Sequence, residues 1–405
     1  MGWIEVQAPG LLTTVQDRGR RGYEHLGVMV GGVLDDYAAA WANRLLGNPP
    51  EAAVLEMTLV GPTLAVVEGG WAALAGADLG ARVDGEPWPP GTARRLAAGS
   101  VVRFGRAVRG ARAYLAFAGG LDVPPVLGSR ATDLVSGFGG VEGRALVAGD
   151  RLRFGDQEAE PARAPVDTCL VRDVVRVLPG VRLERFPPTA LERLAQGVWR
   201  VSPRSDRVGL RLEGPPVVDT PMPSDAISEA MAIGAVEVPP SGELLVLLKA
   251  RGTIGGYATL AHVVTADLPV LAQLRPGESV RFRVVGEDEA LEAVRRLWAT
   301  LTWPLERPEA EGPAAAEPAA AAPERLVVPA PSWCVVWRAN APGERPLVEV
   351  GDRVEAGQPL ALVEVMKVFT PLASPARGTV TAIHFADGAV VEEGAPLVEL
   401  AVERT

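Results

Sequence analysis

The chain has 405 residues, a formal net charge of −10, and 48% hydrophobic against 22% charged residues. At roughly 150 residues per domain, that length predicts two to three domains, each with enough apolar sequence for a core. The acidic balance argues against a phosphate-tracking nucleic-acid binder and a polybasic membrane anchor, and no apolar run approaches the ~18 residues of a membrane span.

The first residues, MGWIEVQAPG, carry an acid and no basic stretch, unlike a secretory signal peptide. Two cysteines, Cys169 and Cys334, cannot build a disulfide framework, so a reducing, cytoplasmic compartment is expected. Lysine usage is more unusual. Of 40 basic residues only Lys249 and Lys367 are lysines, so each needs a reason that arginine does not meet.

In chain order, the first predicted helix spans Leu34–Leu46. Tyr37, Trp41 and Leu45 share one face, Asp35 and Asp36 stand at its start, and Gly47 with Asn48-Pro49-Pro50 stops it. Pro188–Gln196 reads as a short helix closed by Gly197. Asp288–Thr300 reads as a third, with Leu291, Val294, Leu297 and Trp298 on one face. Elsewhere β-branched runs alternate with Gly/Pro turns, which predicts a mainly β fold of barrels or sandwiches with few helices. The segments GSVVRF (99–104), GDRLRF (149–154) and GESVRF (277–282) repeat one pattern, a glycine turn followed by a strand ending Arg-Phe. They suggest two related β-rich halves, 1–160 and 168–306.

Residues 307–325 are Ala/Pro/Glu-rich and lack large apolar side chains, so they read as a tether. Beyond it, 326–405 contains an internal repeat. GDRVEAGQPL (351–360) and GAVVEEGAPL (388–397) match in Gly, Val, Glu, Gly, Pro and Leu, which predicts two quasi-equivalent sheets with Val354, Leu360, Val391 and Leu397 in the core. Between the copies, two strand-like runs flank Met366-Lys367, which predicts a hairpin tip. An exposed tip lysine suits covalent attachment of a group-carrying cofactor.

The EVMKV motif (364–368) and the repeat around it resemble the biotinyl, or biotin carboxyl carrier, domain. The resemblance implies a biotinyl/lipoyl-type β-sandwich, biotin as an amide on Lys367, and Met366 as part of the attachment sequence. Pro331 to Cys334 departs from that family's usual Pro-x-x-Gly. In the large part, TVQDRGRRGYEHLGVM (14–29), LLGNPPEAAVLEMTLVGPTLA (45–65), VSPRSDRVGLRLEGP (201–215) and GGYATLAHVVTADLPVLAQLRPGE (255–278) resemble one family in order. It is the family of allophanate hydrolase subunit 2, KipA and the C component of 5-oxoprolinase, which also forms the carboxyltransferase domain of urea carboxylase. That resemblance implies two cyclophilin-like β-barrel domains. Residues 28–35, VMVGGVLD, and 249–257, KARGTIGGY, depart from the family pattern and suggest an altered substrate.

Carboxyl transfer requires groups that hold the carboxylated carrier, move a proton and stabilise an oxyanion. Arg204 and Arg207 offer bidentate forks for carboxybiotin or an acidic substrate, with Asp206 between them, or else form an ion-paired strand edge. Ser241 in a Pro-Pro-Ser-Gly turn can face an oxyanion or serve the turn alone. Lys249, after the apolar run Leu244–Leu248, is either a desolvated general base or a structural lysine. Tyr257 follows a glycine pair that permits close backbone approach. No metal-ligand spacing and no phosphate-binding loop occurs.

The function expected from these observations is a biotin-dependent carboxyltransferase that carries its own biotin and moves CO2 to a small amide- or urea-like acceptor. A separate biotin carboxylase and a biotin protein ligase would be partners, with ATP used only through the partner. Two alternatives remain. One is the C component of an ATP-dependent 5-oxoprolinase, working alongside KipI-like (B component) and LamB/YcsF-like (A component) proteins. The other is a KipA-type regulatory binding protein. The tether composition generates a prediction. Limited proteolysis should cut first within 308–324 and leave two stable fragments; first cleavage inside 326–405 would contradict an independent carrier.

Overall fold

Three glycines with the same backbone conformation set the strand framework. Gly99, Gly149 and Gly277 have φ of 86°, 93° and 88°, the left-handed region that favours glycine. Their N–H groups donate to the carbonyls of Val66, Val6 and Val201 at 2.7, 2.8 and 2.8 Å, which ties each turn to a neighbouring strand. Phe154 ends the strand after Gly149, Phe282 lies within the strand after Gly277, and Phe104 stands one residue past the strand after Gly99; all three are buried. In the computed structural model, which describes residues 2–155, 157–160, 162–219, 228–305, 325–330, 334–339, 345–365, 368–392 and 394–402, the chain forms two units, Met1–Ala310 and Glu311–Thr405.

The first part of unit 1 builds two six-stranded sheets. One runs in the order Arg151–Phe154, Gly2–Ala8, Thr63–Glu68, Val101–Arg103, Arg82–Val83, Glu86–Pro87. The other runs Ala162–Arg163, Thr92–Leu96, Gly70–Asp78, Arg109–Phe117, Val54–Thr58, Leu12–Gln16. Ile4, Leu64 and Val102 of the first pack with Leu55, Leu74 and Leu115 of the second in one core. The second part closes into a seven-stranded barrel: Val174–Pro179, Ala258–Val263, Ala235–Val238, Leu244–Leu247, Gly209–Glu213, Trp199–Val201 and Ser279–Val284. A parallel pairing of Val174–Pro179 with Ser279–Val284 closes it around a core that includes Trp199, Leu210 and Phe282.

Four α-helices are described. Helix α1 (Asp36–Arg44) starts two residues later than its apolar pattern suggests, because Asp35 is its cap and accepts from Ala38 N at 2.8 Å. Its small buried residues Ala38, Ala39 and Ala42 let it pack onto Gly70–Asp78 and Arg109–Phe117. Helix α2 (Ala190–Gln196) ends at Gly197 as expected. Helix α3 (Leu268–Gln273) escapes a reading by period because six residues complete fewer than two turns. Helix α4 (Glu287–Ala299) buries Ala290, Ala293 and Leu297, whereas Leu291, expected on the apolar face, is 49% exposed. Small alanines form the packed stripe, so side-chain size alone misplaced that face. Among the described residues no helix is long and apolar enough to cross a membrane.

Unit 2 is a pair of four-stranded sheets. Arg325, assigned above to the tether, begins the strand Arg325–Pro329, and residues 306–324 lie outside the described residues. The two repeat copies exchange strands. The short strand of the first copy, Arg353–Val354, shares a sheet with the long strand of the second, Pro396–Val402. The other sheet takes Pro359–Val365 and Ala389–Val391. Val354, Leu360 and Leu397 are buried and Val391 packs against them.

One backbone position in unit 1 generates a stability prediction. Gly110 has φ 71°, and a Cβ there would lie 2.6 Å from both Cys169 Sγ and Gln273 Oε1. Gly110→Ala should lower stability by roughly 1–3 kcal/mol, the scale of a non-glycine left-handed residue. An unchanged denaturation midpoint would contradict this packing.

Candidate functional site

A chain of buried polar groups joins the two parts of unit 1. Glu56 lies in the strand Val54–Thr58, with Leu55 and Met57 packed in the core. Its Oε2 accepts from Leu34 N at 2.8 Å and from Tyr114 Oη at 2.9 Å, and its Oε1 pairs with Arg207 Nη1. Arg207, 7% exposed, also donates through Nη2 to Gly32 O at 2.5 Å. Burial pulls its pKa down to about 10, which leaves it charged at neutral pH.

The chain continues through α1 and α3. Asp35 N donates to Tyr114 Oη at 2.9 Å, and Gln273 Nε2 donates to Asp35 Oδ2 at 2.7 Å. Burial pushes the Tyr114 phenol well above its ordinary range and the Asp35 carboxyl up to about 7, against the hydrogen bonds from Ala38 and Gln273. The strand Arg109–Phe117 breaks register with Gly70–Asp78 between Arg109 and Ala113. There Gln273 Oε1 accepts from Ala111 N and Arg112 N, both at 3.0 Å. The Arg112 guanidinium reaches back to Ala272 O at 2.5 Å.

Lys249 joins the same region. Its Nζ donates to Asp36 Oδ1 at 2.5 Å, and its backbone O accepts from Gly31 N at 3.0 Å. Burial lowers its pKa, opposed by Asp36. The glycine-containing segment 29–36 is thus held by both parts of unit 1.

Two cavities flank that segment. One, of about 510 Å³, follows α1 past Asp36 and Asn43 to Trp298. The other, of about 360 Å³, lies between Thr58, Arg112 and Asp133 of the first part and Asp206, Arg207 and Ala250 of the second. Among the described residues, three lining residues each hold a buried polar atom with no hydrogen-bond partner: Thr58 Oγ1, Arg112 Nε and Asp133 Oδ2.

The six residues expected to share one site divide between two ends of the barrel. Arg207, Asp206 and Lys249 stand where Gly209 pairs with Leu247, with Ala250 N donating to Arg207 O at 3.0 Å. Asp206 is exposed, and its Oδ1 accepts from Val208 N at 2.8 Å and Gly209 N at 3.1 Å. The exposed Ser241 lies beyond the other end of the strand Leu244–Leu247, close to Glu243. Arg204, also exposed, pairs with Glu243 at 3.1 Å, as Arg211 does at 2.5 Å. Tyr257, 50% exposed, precedes Ala258, which pairs with Val238 at that same end. The length of a strand therefore separates Ser241 and Tyr257 from Lys249, and the set does not meet in one place.

Met366 and Lys367 lie outside the described residues, as do Pro331, Ser332 and Trp333. The strands on either side of Met366-Lys367 pair antiparallel, with Val365 opposite Val368.

Sequence reasoning missed Glu56, Tyr114, Arg112, Asp133 and Gln273. The available signal was a polar residue inside a buried apolar run, Glu56 in VLEMT and Gln273 in LPVLAQL, which demands a partner.

Comparison with known proteins agrees with this architecture. Residues 26–284 match the model of the carboxyltransferase domain, subdomains A and B, and residues 327–400 match that of biotin-requiring enzymes. The C component of the Escherichia coli 5-oxoprolinase is 37% identical over 306 residues, 75% of this chain and 98% of that protein. The biotin carboxyl carrier protein of acetyl-CoA carboxylase from Streptococcus pyogenes is 35% identical over 95 residues, 24% of this chain and 52% of that protein. The crystal structure of the K. lactis urea amidolyase superposes with a TM-score of 0.69 at 28% identity. That superposition covers 74% of this chain and 20% of that one, so the chain spans about a fifth of that larger protein. The chain belongs to the carboxyltransferase subdomain A and B family and carries a biotin-requiring-enzyme domain at its C-terminal end.

Glu237 generates a pH prediction for the barrel. It sits in Ala235–Val238, 2% exposed, and burial pushes its carboxyl up to about 7. Because the folded value lies above the unfolded one of about 4.3, its contribution is fully present below that pH and is lost as pH rises through 7. Glu237→Gln should stabilise the protein at pH 8 relative to pH 5 by on the order of 3 kcal/mol more than wild type changes. Parallel pH profiles for the two proteins would contradict the assignment.

Proposed function

We propose that this chain carries biotin on Lys367 and delivers a carboxyl group to a small amide- or urea-like acceptor in unit 1. The observation that carries the reading is the pairing, within one chain, of a carboxyltransferase-family region with a biotin-requiring-enzyme domain. Lys367 fits the attachment role, since it joins two strands paired up to Val365 and Val368 and is one of two lysines in the chain. Biotin, when bound, supplies a transferable carboxyl group on its ureido ring.

The chain's own residues supply positioning and charge. Arg207, locked by Glu56 and Gly32, holds a fixed positive charge beside the 360 Å³ cavity. Lys249, lowered in pKa and aimed by Asp36, is the group suited to accept or return a proton. A tether raises the effective concentration of the carrier toward roughly millimolar. A separate biotin carboxylase and a biotin ligase complete the system, in the cytoplasm.

The match to nearly the whole of the 5-oxoprolinase C component favours a second reading, in which residues 1–306 act with ATP-using partner proteins on a cyclic amide. The two separate experimentally. Intact-mass analysis after treatment with a biotin ligase should show one added biotin in wild type and none in Lys367→Arg, and carboxyl transfer should vanish in that variant. Lys249→Met should keep full biotinylation and lose transfer by roughly 100-fold or more. Biotinylation that survives Lys367→Arg, or transfer that survives without biotin, would overturn the reading.

A further inference from the structure

The larger cavity, of about 510 Å³, is lined by neither Arg207 nor Glu56. Its volume lies within the roughly 300–1,000 Å³ of small-molecule sites. One wall is a face of helix α1, on which Asp36, Ala39, Ala40 and Asn43 follow one another at helical spacing. Alanine at 39 and 40 leaves open a slot that longer side chains would fill. Val33, Val54, Trp298 and Leu301 supply further apolar surface.

The acids and amides of this lining are already bonded. Asp36 pairs with Lys249 at 2.5 Å. Asp17 Oδ1 accepts from Gly19 N at 2.8 Å and Ser129 Oγ at 2.6 Å, and its Oδ2 accepts from Arg130 N at 2.5 Å. Asn48 donates to Asn43 Oδ1 and Phe117 O, and Asn43 donates to Ala52 O.

The cations of the lining lack a counter-charge. Among the described residues, neither Arg44 nor Arg18 pairs with a carboxylate. Arg44, partly buried, donates through Nη2 to Trp303 O at 2.5 Å and stands 5.5 Å from the centre of the Trp41 ring, both neutral partners. Arg18 is exposed, and its backbone lies against Gly32. Gly32 precedes α1 and Arg44 is its last residue, so the two arginines approach the cavity from opposite ends of the helix. A guanidinium keeps its charge in such a setting and pairs best with a carboxylate, which it can hold through two N–H groups. Compensated acids, uncompensated arginines and an alanine-lined slot together select an anion with an apolar body.

We propose that this cavity binds an organic carboxylate on an unbranched aliphatic body, the carboxylate held by Arg44 and the methylenes lying along Ala39 and Ala40. A second carboxylate at the far end of such a ligand meets Arg18. The site goes beyond the carboxyl transfer proposed above and does not rest on it.

The test is equilibrium titration of the full-length protein with hexanoate, suberate and the neutral hexanamide. At least one acid should bind with a Kd below about 1 mM, and hexanamide should bind at least roughly tenfold more weakly. Suberate binding more tightly than hexanoate assigns both arginines to the ligand, whereas no gain from the second carboxylate assigns Arg44 alone. Arg44→Gln keeps a donor for Trp303 O but removes the charge, and should weaken acid binding roughly 10- to 100-fold. Ala40→Leu, at a partly exposed position, fills the slot and should abolish binding with the denaturation midpoint unchanged. Failure of both acids to bind, equal binding of hexanamide, or full acid binding by the Ala40→Leu protein would overturn the proposal.

Discussion

The buried contact between Arg207 and Glu56 is the constraint on which the organisation of unit 1 rests. Both side chains are removed from water, so neither tolerates loss of the other. Glu56 belongs to a sheet strand of the first part and Arg207 to a turn of the barrel, and the pair fixes one against the other. Every further bond of Glu56 goes to the segment leading into α1 or to Tyr114, which itself contacts Asp35. The network therefore sets the place of the α1 N-terminus, and with it the Asp36–Lys249 pair. A polar interlock of this kind specifies one geometry, where an apolar interface would tolerate sliding.

That geometry explains why residues 29–36 and 249–251 stand beside one another although more than two hundred residues separate them. Gly31 donates to Lys249 O, and Gly32 O accepts from Arg207.

The fold was legible where local chemistry decides it. Left-handed glycines marked the strand entries at 99, 149 and 277, and the repeat at 351 and 388 described the paired sheets of unit 2. Helix α1 was legible from its face and stop signals. Helix α3 was not, because its stability comes from packing on the strand Arg109–Phe117 rather than from its own six residues. The site was legible only in part. Arg207 and Lys249 announce themselves by type and by a preceding apolar strand. Their partners Glu56 and Asp36 come from distant sequence, so no spacing links them. The expectation that Ser241 and Tyr257 would join them failed because glycine and proline turns occur at both ends of a barrel, and turn chemistry does not say which end.

In the proposed reading, unit 2 carries biotin on Lys367 and unit 1 receives its carboxyl group. The most direct test loads a 13C-carboxyl group onto the biotin of the intact chain with a separate biotin carboxylase and follows its loss when an amide acceptor is added. The account predicts first-order release to the acceptor, with a rate constant unchanged on tenfold dilution of the protein, because carrier and cavity share one chain. Label that stays on the protein, or a rate that falls with dilution, would contradict it.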